Sequence, residues 1–208
     1  LRPKVVCSLP VRQPEDLKEV VSIPGDLVEL RVDYFEDPLS LPLDSLGHLK
    51  KKLIVTFRDA EEGGVREIDP QIKLDLLSKL RKLEITYDVE AKFAIRYGVK
   101  TDGEIVSAHY LDRVPRVEEV GELIRAFPRA ETFKVAVVAK EGYLRVLLRL
   151  LEYGKVAVMS LGGPPEERIG LGLIGSSLVY GYAKDPTAPG QMSCSRLTEV
   201  MRHIFPFS

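Results

Sequence analysis

Lys134 is set in Thr132-Phe133-Lys134-Val135-Ala136-Val137-Val138, an apolar run of strand character. Burial there would disfavour the ammonium, and neighbouring arginines would act the same way. Moving a lysine from ~10.4 to near 7 takes about 4–5 kcal/mol of differential stabilisation. A neutral amine of that kind attacks a ketone or aldehyde and forms a Schiff base. A lysine paired with a carboxylate at the strand mouth is the structural alternative. His109 closes Ile105-Val106-Ser107-Ala108-His109, where an imidazole can take or give a proton near neutral pH. The stretch Thr56-Phe57-Arg58-Asp59-Ala60-Glu61-Glu62-Gly63-Gly64 puts an arginine at a strand end. It also puts a carboxylate, Glu62, in a glycine-flanked loop from which it could orient His109. His48, in a lysine-rich loop, and His203, in a C-terminal helix, have no such setting.

These residues need a frame. Eight short strands are expected at 4–8, 27–32, 53–57, 84–89, 104–108, 131–138, 155–159 and 175–180. Helical periodicity falls near 15–21, 70–82, 91–98, 116–126, 141–153, 164–171 and 195–204. The segment 33–52, broken by Pro38, Pro42 and Gly47, reads as loop with one helical turn. Alternating strands and helices mean an α/β protein, and eight strands suit a (β/α)8 TIM barrel. A single catalytic domain over residues 1–208 is the expected organisation, with a doubly wound open sheet as the other architecture. Side chains alternate faces along a strand. Glu29, Arg31 and Asp33 therefore share one face. The same parity recurs in Thr56 with Arg58, Asp88 with Glu90, Ser107 with His109, and Thr132 with Lys134. In a barrel the apolar face meets the helices, so these polar groups look inward, toward the end where barrel enzymes carry their chemistry.

Composition excludes several classes. Charged residues make up 29% of the 208, yet the formal net charge is -1. That balance gives no general pull toward nucleic acid or an anionic membrane. No apolar run approaches the ~20 residues of a membrane span, and no signal peptide is expected. Cys7 and Cys194 are expected to be free thiols in a reducing cytoplasm. The chain has no asparagine and three glutamines, Gln13, Gln71 and Gln191, as a heat-adapted protein would. Gly170, Gly172 and Gly175 match GxGxxG, but the order of strand, glycine turn and helix is missing. They are expected to end a helix and enter the last strand.

Six stretches, read together, resemble the type I 3-dehydroquinate dehydratases of the shikimate pathway. They are Glu29-Leu30-Arg31-Val32-Asp33, Thr56-Phe57-Arg58 through Glu62-Gly63-Gly64, Ser107-Ala108-His109, Phe133-Lys134-Val135-Ala136, Met159-Ser160-Leu161-Gly162 and Ala188-Pro189-Gly190-Gln191. The likeness runs from about Val6 to Gln191. It implies a lyase with Lys134 as Schiff-base lysine, His109 as acid/base and Glu62 as its carboxylate partner. It further implies that Glu29, Arg58, Arg168 and Gln191 hold substrate hydroxyls and carboxylate. Arg31, with Asp33 behind it, and Thr187, standing where serine is usual, would complete the binding set. Leu111 replaces an aromatic residue and Tyr180 a phenylalanine. No metal or organic cofactor is implied, and the partner is a small molecule; a homodimer is expected from commonness alone. Three rivals fit the residues: a Schiff-base aldolase with Gly162-Gly163 cradling a phosphate, a non-catalytic small-acid binder, and a metal enzyme using Asp88 and Glu90.

Overall fold

The computed structural model describes residues 2–206. The eight expected strands form, each starting within three residues of its run: β1 (Lys4–Pro10), β2 (Leu27–Arg31), β3 (Leu53–Thr56), β4 (Thr86–Glu90), β5 (Ile105–Tyr110), β6 (Thr132–Val138), β7 (Val156–Leu161) and β8 (Leu178–Tyr182). All neighbouring pairs run parallel, in the order β7-β6-β5-β4-β3-β2-β1-β8. The six α-helices are α1 (Pro70–Leu83), α2 (Ala91–Tyr97), α3 (Val117–Ala126), α4 (Tyr143–Leu150), α5 (Glu167–Leu173) and α6 (Cys194–Ile204). The result is a single-domain (β/α)8 barrel, closed everywhere but along β7 and β8.

Local chemistry sets the helix ends. Asp69 caps α1, its carboxylate accepting the N–H groups of Gln71 and Ile72, and Pro70 occupies the first helical position. The glycine run behaves as expected: α5 stops at Leu173, Gly175 has φ +133°, and β8 begins at Leu178. The first helical segment, 14–22, is a 3-10 helix rather than an α-helix.

Two expectations fail. Segment 33–52 is largely helical, with 3-10 turns at Val32–Tyr34, Pro38–Ser40 and Leu43–Lys52. Its prolines sit at or beside helix starts, where a missing N–H costs nothing, and Leu41, Leu43 and Leu46 bury themselves. The two cysteines are not free. Cys7 and Cys194 form a disulfide across 187 residues, their Cα atoms 5.6 Å apart. Pairing of Cys7 with Gly181, and a bridge from Tyr182 to Ser193, brings the start of α6 against β1. Sequence distance hid this proximity.

The strand faces divide as the alternation requires. Outward residues such as Leu30, Val55 and Val89 pack with Leu76 and Leu80 of α1 in the core between strands and helices. Inside the barrel, Val6, Ile54, Ile105, Ala157 and Leu178 form an apolar floor. The polar inward residues stand above it.

Along β7 and β8 no ladder forms among the described residues. Ser176 bridges the gap instead: its hydroxyl accepts the Val158 N–H at 3.0 Å and donates to the Leu178 carbonyl at 2.9 Å. The Ser177 N–H adds a bond to the Val156 carbonyl at 2.9 Å.

Candidate active site

The β5–β6 register pairs Ser107 with Lys134 and His109 with Ala136. His109 thus points inward from the strand beside Lys134, two residues nearer the mouth. All nine residues singled out from the sequence line one pocket there: Lys134, His109, Glu62, Glu29, Arg31, Arg58, Arg168, Thr187 and Gln191. Leu111, Ala136, Met159, Leu161, Tyr180 and Pro189 supply its apolar wall.

Lys134 is buried, as expected, but not left among apolar groups alone. Its Nζ lies 2.5 Å from Asp88 Oδ2 and 3.4 Å from Glu29 Oε1, and 4.7 Å from the centre of the Tyr180 ring. Glu29 is held from its other sides by the Ser8 hydroxyl at 2.6 Å and the Thr56 hydroxyl at 2.9 Å. Burial pushes the Glu29 carboxyl up, but Lys134 and Arg31 outweigh it and leave it below its ordinary value. Asp88 goes the same way: burial opposes its charge, and Arg58 and Lys134 overcome that opposition. Arg58 donates to Glu90 and to the Ser107 hydroxyl at 2.8 Å each, and lies 2.9 Å from Asp88.

Glu62 Oε2 lies 3.0 Å from both the His109 backbone nitrogen and His109 Nδ1. An ionised carboxylate there keeps the ring proton on Nδ1 and leaves Nε2 free to act as base. Burial, then Arg58 and Lys134, hold the His109 imidazole well below its ordinary value, so it rests neutral. Burial, opposed by Arg58 and helped by Glu90, pushes Glu62 up to about 7.

Arg168 differs from the other cations. It is 3% exposed and bonds only neutral acceptors: the Ser160 carbonyl at 3.1 Å, the Pro189 carbonyl at 3.2 Å and the Tyr180 carbonyl at 3.4 Å, with the Met159 sulfur 3.9 Å away. Its Nε has no hydrogen-bond partner. Burial lowers it to about 10, with only partial compensation from Glu167. A buried cation that faces a pocket and has no ion-pair partner among the described residues is a receptor for an anion.

The remaining residues shape the pocket's edge. Arg31 spends Nε and Nη2 on the two oxygens of Asp33, at 2.8 and 2.7 Å. Gln191 turns its Oε1 back to the N–H groups of Thr187 and Ala188, at 2.7 and 3.2 Å, and so folds its own loop. The Thr187 hydroxyl donates to Ser8 at 2.8 Å. Ser8 has no signal in the sequence beyond the alternation of β1, which turns it inward with Val6. Parity turns Asp88 inward and a carboxylate partner for Lys134 is the structural alternative above, but only the fold shows that Asp88 is that partner.

Two rival chemistries meet obstacles. Asp88 and Glu90 are already engaged by internal cations, Arg58 with Lys134 and Arg58 with Lys73 respectively. That is a poor donor set for a metal. The Gly162 N–H, wanted for a phosphate cradle, bonds the Pro189 carbonyl at 3.2 Å.

A family model described as type I 3-dehydroquinase matches residues 5–145. A 3-dehydroquinate dehydratase of Saccharolobus solfataricus is 40% identical, the match covering 98% of this chain and 96% of that protein. The one from Sulfolobus acidocaldarius is 39% identical over 98% and 94%. The chain belongs to the type I 3-dehydroquinase family. Solved structures agree in shape. The type I 3-dehydroquinate dehydratase of Clostridium difficile, with covalent modified comenic acid, has a TM-score of 0.78 at 27% identity, covering 99% of this chain and 93% of that one. The Aquifex aeolicus 3-dehydroquinate dehydratase has a TM-score of 0.75 at 26% identity, covering 98% and 99%. Within this type I 3-dehydroquinase, Tyr180 brings a hydroxyl that is buried and has no hydrogen-bond partner among the described residues, and Leu111 adds an exposed aliphatic side chain to the pocket lining.

Proposed function

We propose that this chain converts 3-dehydroquinate to 3-dehydroshikimate by syn elimination of water through a Schiff base on Lys134, as the third step of the shikimate pathway. The observation that carries the reading is one pocket holding a buried strand lysine, a buried histidine oriented by a carboxylate and a buried arginine without an ion-pair partner among the described residues. In this reading Arg168 receives the substrate carboxylate. Glu29, Arg31, Arg58, Thr187 and Gln191 hold its hydroxyls and the loop over it. Lys134 Nζ gives up a proton and attacks the C3 ketone; that proton returns to the carbinolamine hydroxyl, which leaves as water and gives an iminium. The iminium draws electrons from C2, whose proton His109 Nε2 removes. The electron pair expels the C1 hydroxyl, protonated as it leaves by the same imidazolium. One base serves both atoms only if both lie on one face, hence the syn course. Glu62 steadies the imidazolium between the two transfers. Hydrolysis of the iminium releases product and restores the amine.

Covalent modified comenic acid on the Clostridium difficile relative is in keeping with covalent chemistry in such a pocket. We read the protein as a cytoplasmic homodimer. Its disulfide does not oppose that location, since intracellular proteins of hyperthermophiles are disulfide-rich, and no described helix is long and apolar enough to cross a membrane. The test is borohydride reduction in the presence of 3-dehydroquinate, followed by peptide mass mapping. Added mass on Lys134 is expected, together with ultraviolet appearance of the conjugated enone in the unreduced reaction. Turnover by an enzyme whose Lys134 stays unmodified would overturn the covalent route.

A further inference from the structure

Lys73 lies on α1, outside the pocket, and is fully buried. Helical spacing puts it on the apolar face with Leu76, Leu77 and Leu80, at i+3, i+4 and i+7. A lysine on that face must have its charge met from inside the protein. Its Nζ lies 2.6 Å from Asp59 Oδ1, pairs with Glu90 Oε2, and sits 4.4 Å from the centre of the Phe93 ring.

The pairing with Glu90 ties Lys73 to the catalytic lysine. From the pocket outward the contacts run Lys134–Asp88 at 2.5 Å, Asp88–Arg58 at 2.9 Å, Arg58–Glu90 at 2.8 Å, Glu90–Lys73, and Lys73–Asp59. The signs alternate at every step, and all but Asp59 are buried. Glu90 divides its oxygens: Oε1 takes Arg58 and the Asp59 N–H, while Oε2 has Lys73. Without the Lys73 charge, Glu90 would turn both oxygens on Arg58. Arg58 would then be drawn from Asp88, leaving Asp88 to Lys134 alone.

We propose that Lys73 is a positioning residue for the dehydration: by holding Glu90 it keeps Arg58 shared between Glu90 and Asp88, and so keeps Asp88 from binding Lys134 too tightly for attack on the ketone. The inference rests on the functional reading above. It also touches the proton-transfer pair. Glu62 faces Arg58, Glu90, Lys92 and His109, and His109 faces Arg58, Lys134, Asp88, Arg31 and Glu62. Loss of a buried cation from this network favours protonated forms throughout it.

The experiment is Lys73→Met in the full chain, with Lys73→Arg as the charge-keeping control. Lys73→Met is expected to lower kcat at least tenfold, with KM within threefold, and to move the acid limb of the kcat–pH profile to higher pH. Lys73→Arg should recover most of both. Should Lys73→Met fail to fold, Lys73→Gln keeps a donor to Glu90 without the charge and is expected to show the same shift. A folded neutral variant with wild-type kcat and an unmoved profile, losing only thermal stability, would overturn the proposal and leave Lys73 as a packing residue. A wild type inactive on 3-dehydroquinate would overturn the functional reading itself, and with it the role of Lys73.

Discussion

The role proposed for Glu62 runs against the stability of the fold. Its carboxyl is raised from 4.5 to about 7, chiefly by burial, with Arg58 opposing and Glu90 adding. A folded value above the unfolded one means the fold prefers the proton. The associated stability is fully present below 4.5 and is lost as pH rises through 7. At about 1.4 kcal/mol per unit, the ionised carboxylate costs roughly 3 kcal/mol at pH 8. Glu62→Gln is expected to raise the unfolding temperature at pH 8 and to leave it unchanged near pH 4, while kcat falls by one to two orders of magnitude. Unfolding scans at the two pH values decide this; a stability gain equal at both would mean that ionisation is not its source. Much at this scale was legible in the sequence, because strand parity alone turned Glu29, Arg58, His109 and Lys134 toward one centre. Partners were not legible. That Asp88 takes Lys134, or that Ser8 links Thr187 to Glu29, depends on which strands become neighbours across the barrel.

Between Ala183 and Ser193 the chain leaves β8, passes the pocket with Thr187, Pro189 and Gln191, and enters α6. Ion pairs hold its start: Lys184 lies 3.3 Å from the buried Asp16, and Arg12 3.1 Å from Asp185. The Arg12–Asp185 pair is exposed on both sides and contributes little, typically under about 1 kcal/mol. The far end has the Cys7–Cys194 disulfide, which closes nearly the whole chain into one covalent loop. Chain-entropy reasoning gives such a loop roughly 5 kcal/mol. Reductant, or Cys7→Ala with Cys194→Ala, is therefore expected to lower the unfolding temperature by on the order of 10 °C. Equal unfolding temperatures with and without reductant would show the bond to be absent or idle. The sequence located the elements well and misjudged this link and the segment 33–52. Short 3-10 turns have little periodicity to read, and Pro38 and Pro42 resemble breaks until their places at helix starts are seen.

Closure of the barrel is a property of the whole molecule, and it is weakest where the strand order begins and ends. β7 and β8 are joined by the Ser176 hydroxyl, the Ser177 backbone and, nearer the mouth, Arg168 bound to the Ser160 and Tyr180 carbonyls. The arginine proposed to receive the substrate carboxylate therefore also spans the seam, so seam and binding are mechanically one. Ser176→Ala removes the acceptor of the Val158 N–H and leaves that donor buried, at a cost of about 1–3 kcal/mol. The loss is local. Hydrogen exchange should quicken at Val158 while amides of the β5–β6 ladder keep their protection. If the widened seam lets Arg168 shift, KM for 3-dehydroquinate should rise several-fold, while borohydride still traps substrate on Lys134 at saturating concentration. Faster exchange at Val158 with an unchanged KM would show that Arg168 is held by its three carbonyls without help from below. Uniformly faster exchange in every strand would instead make the seam an ordinary part of a cooperative barrel.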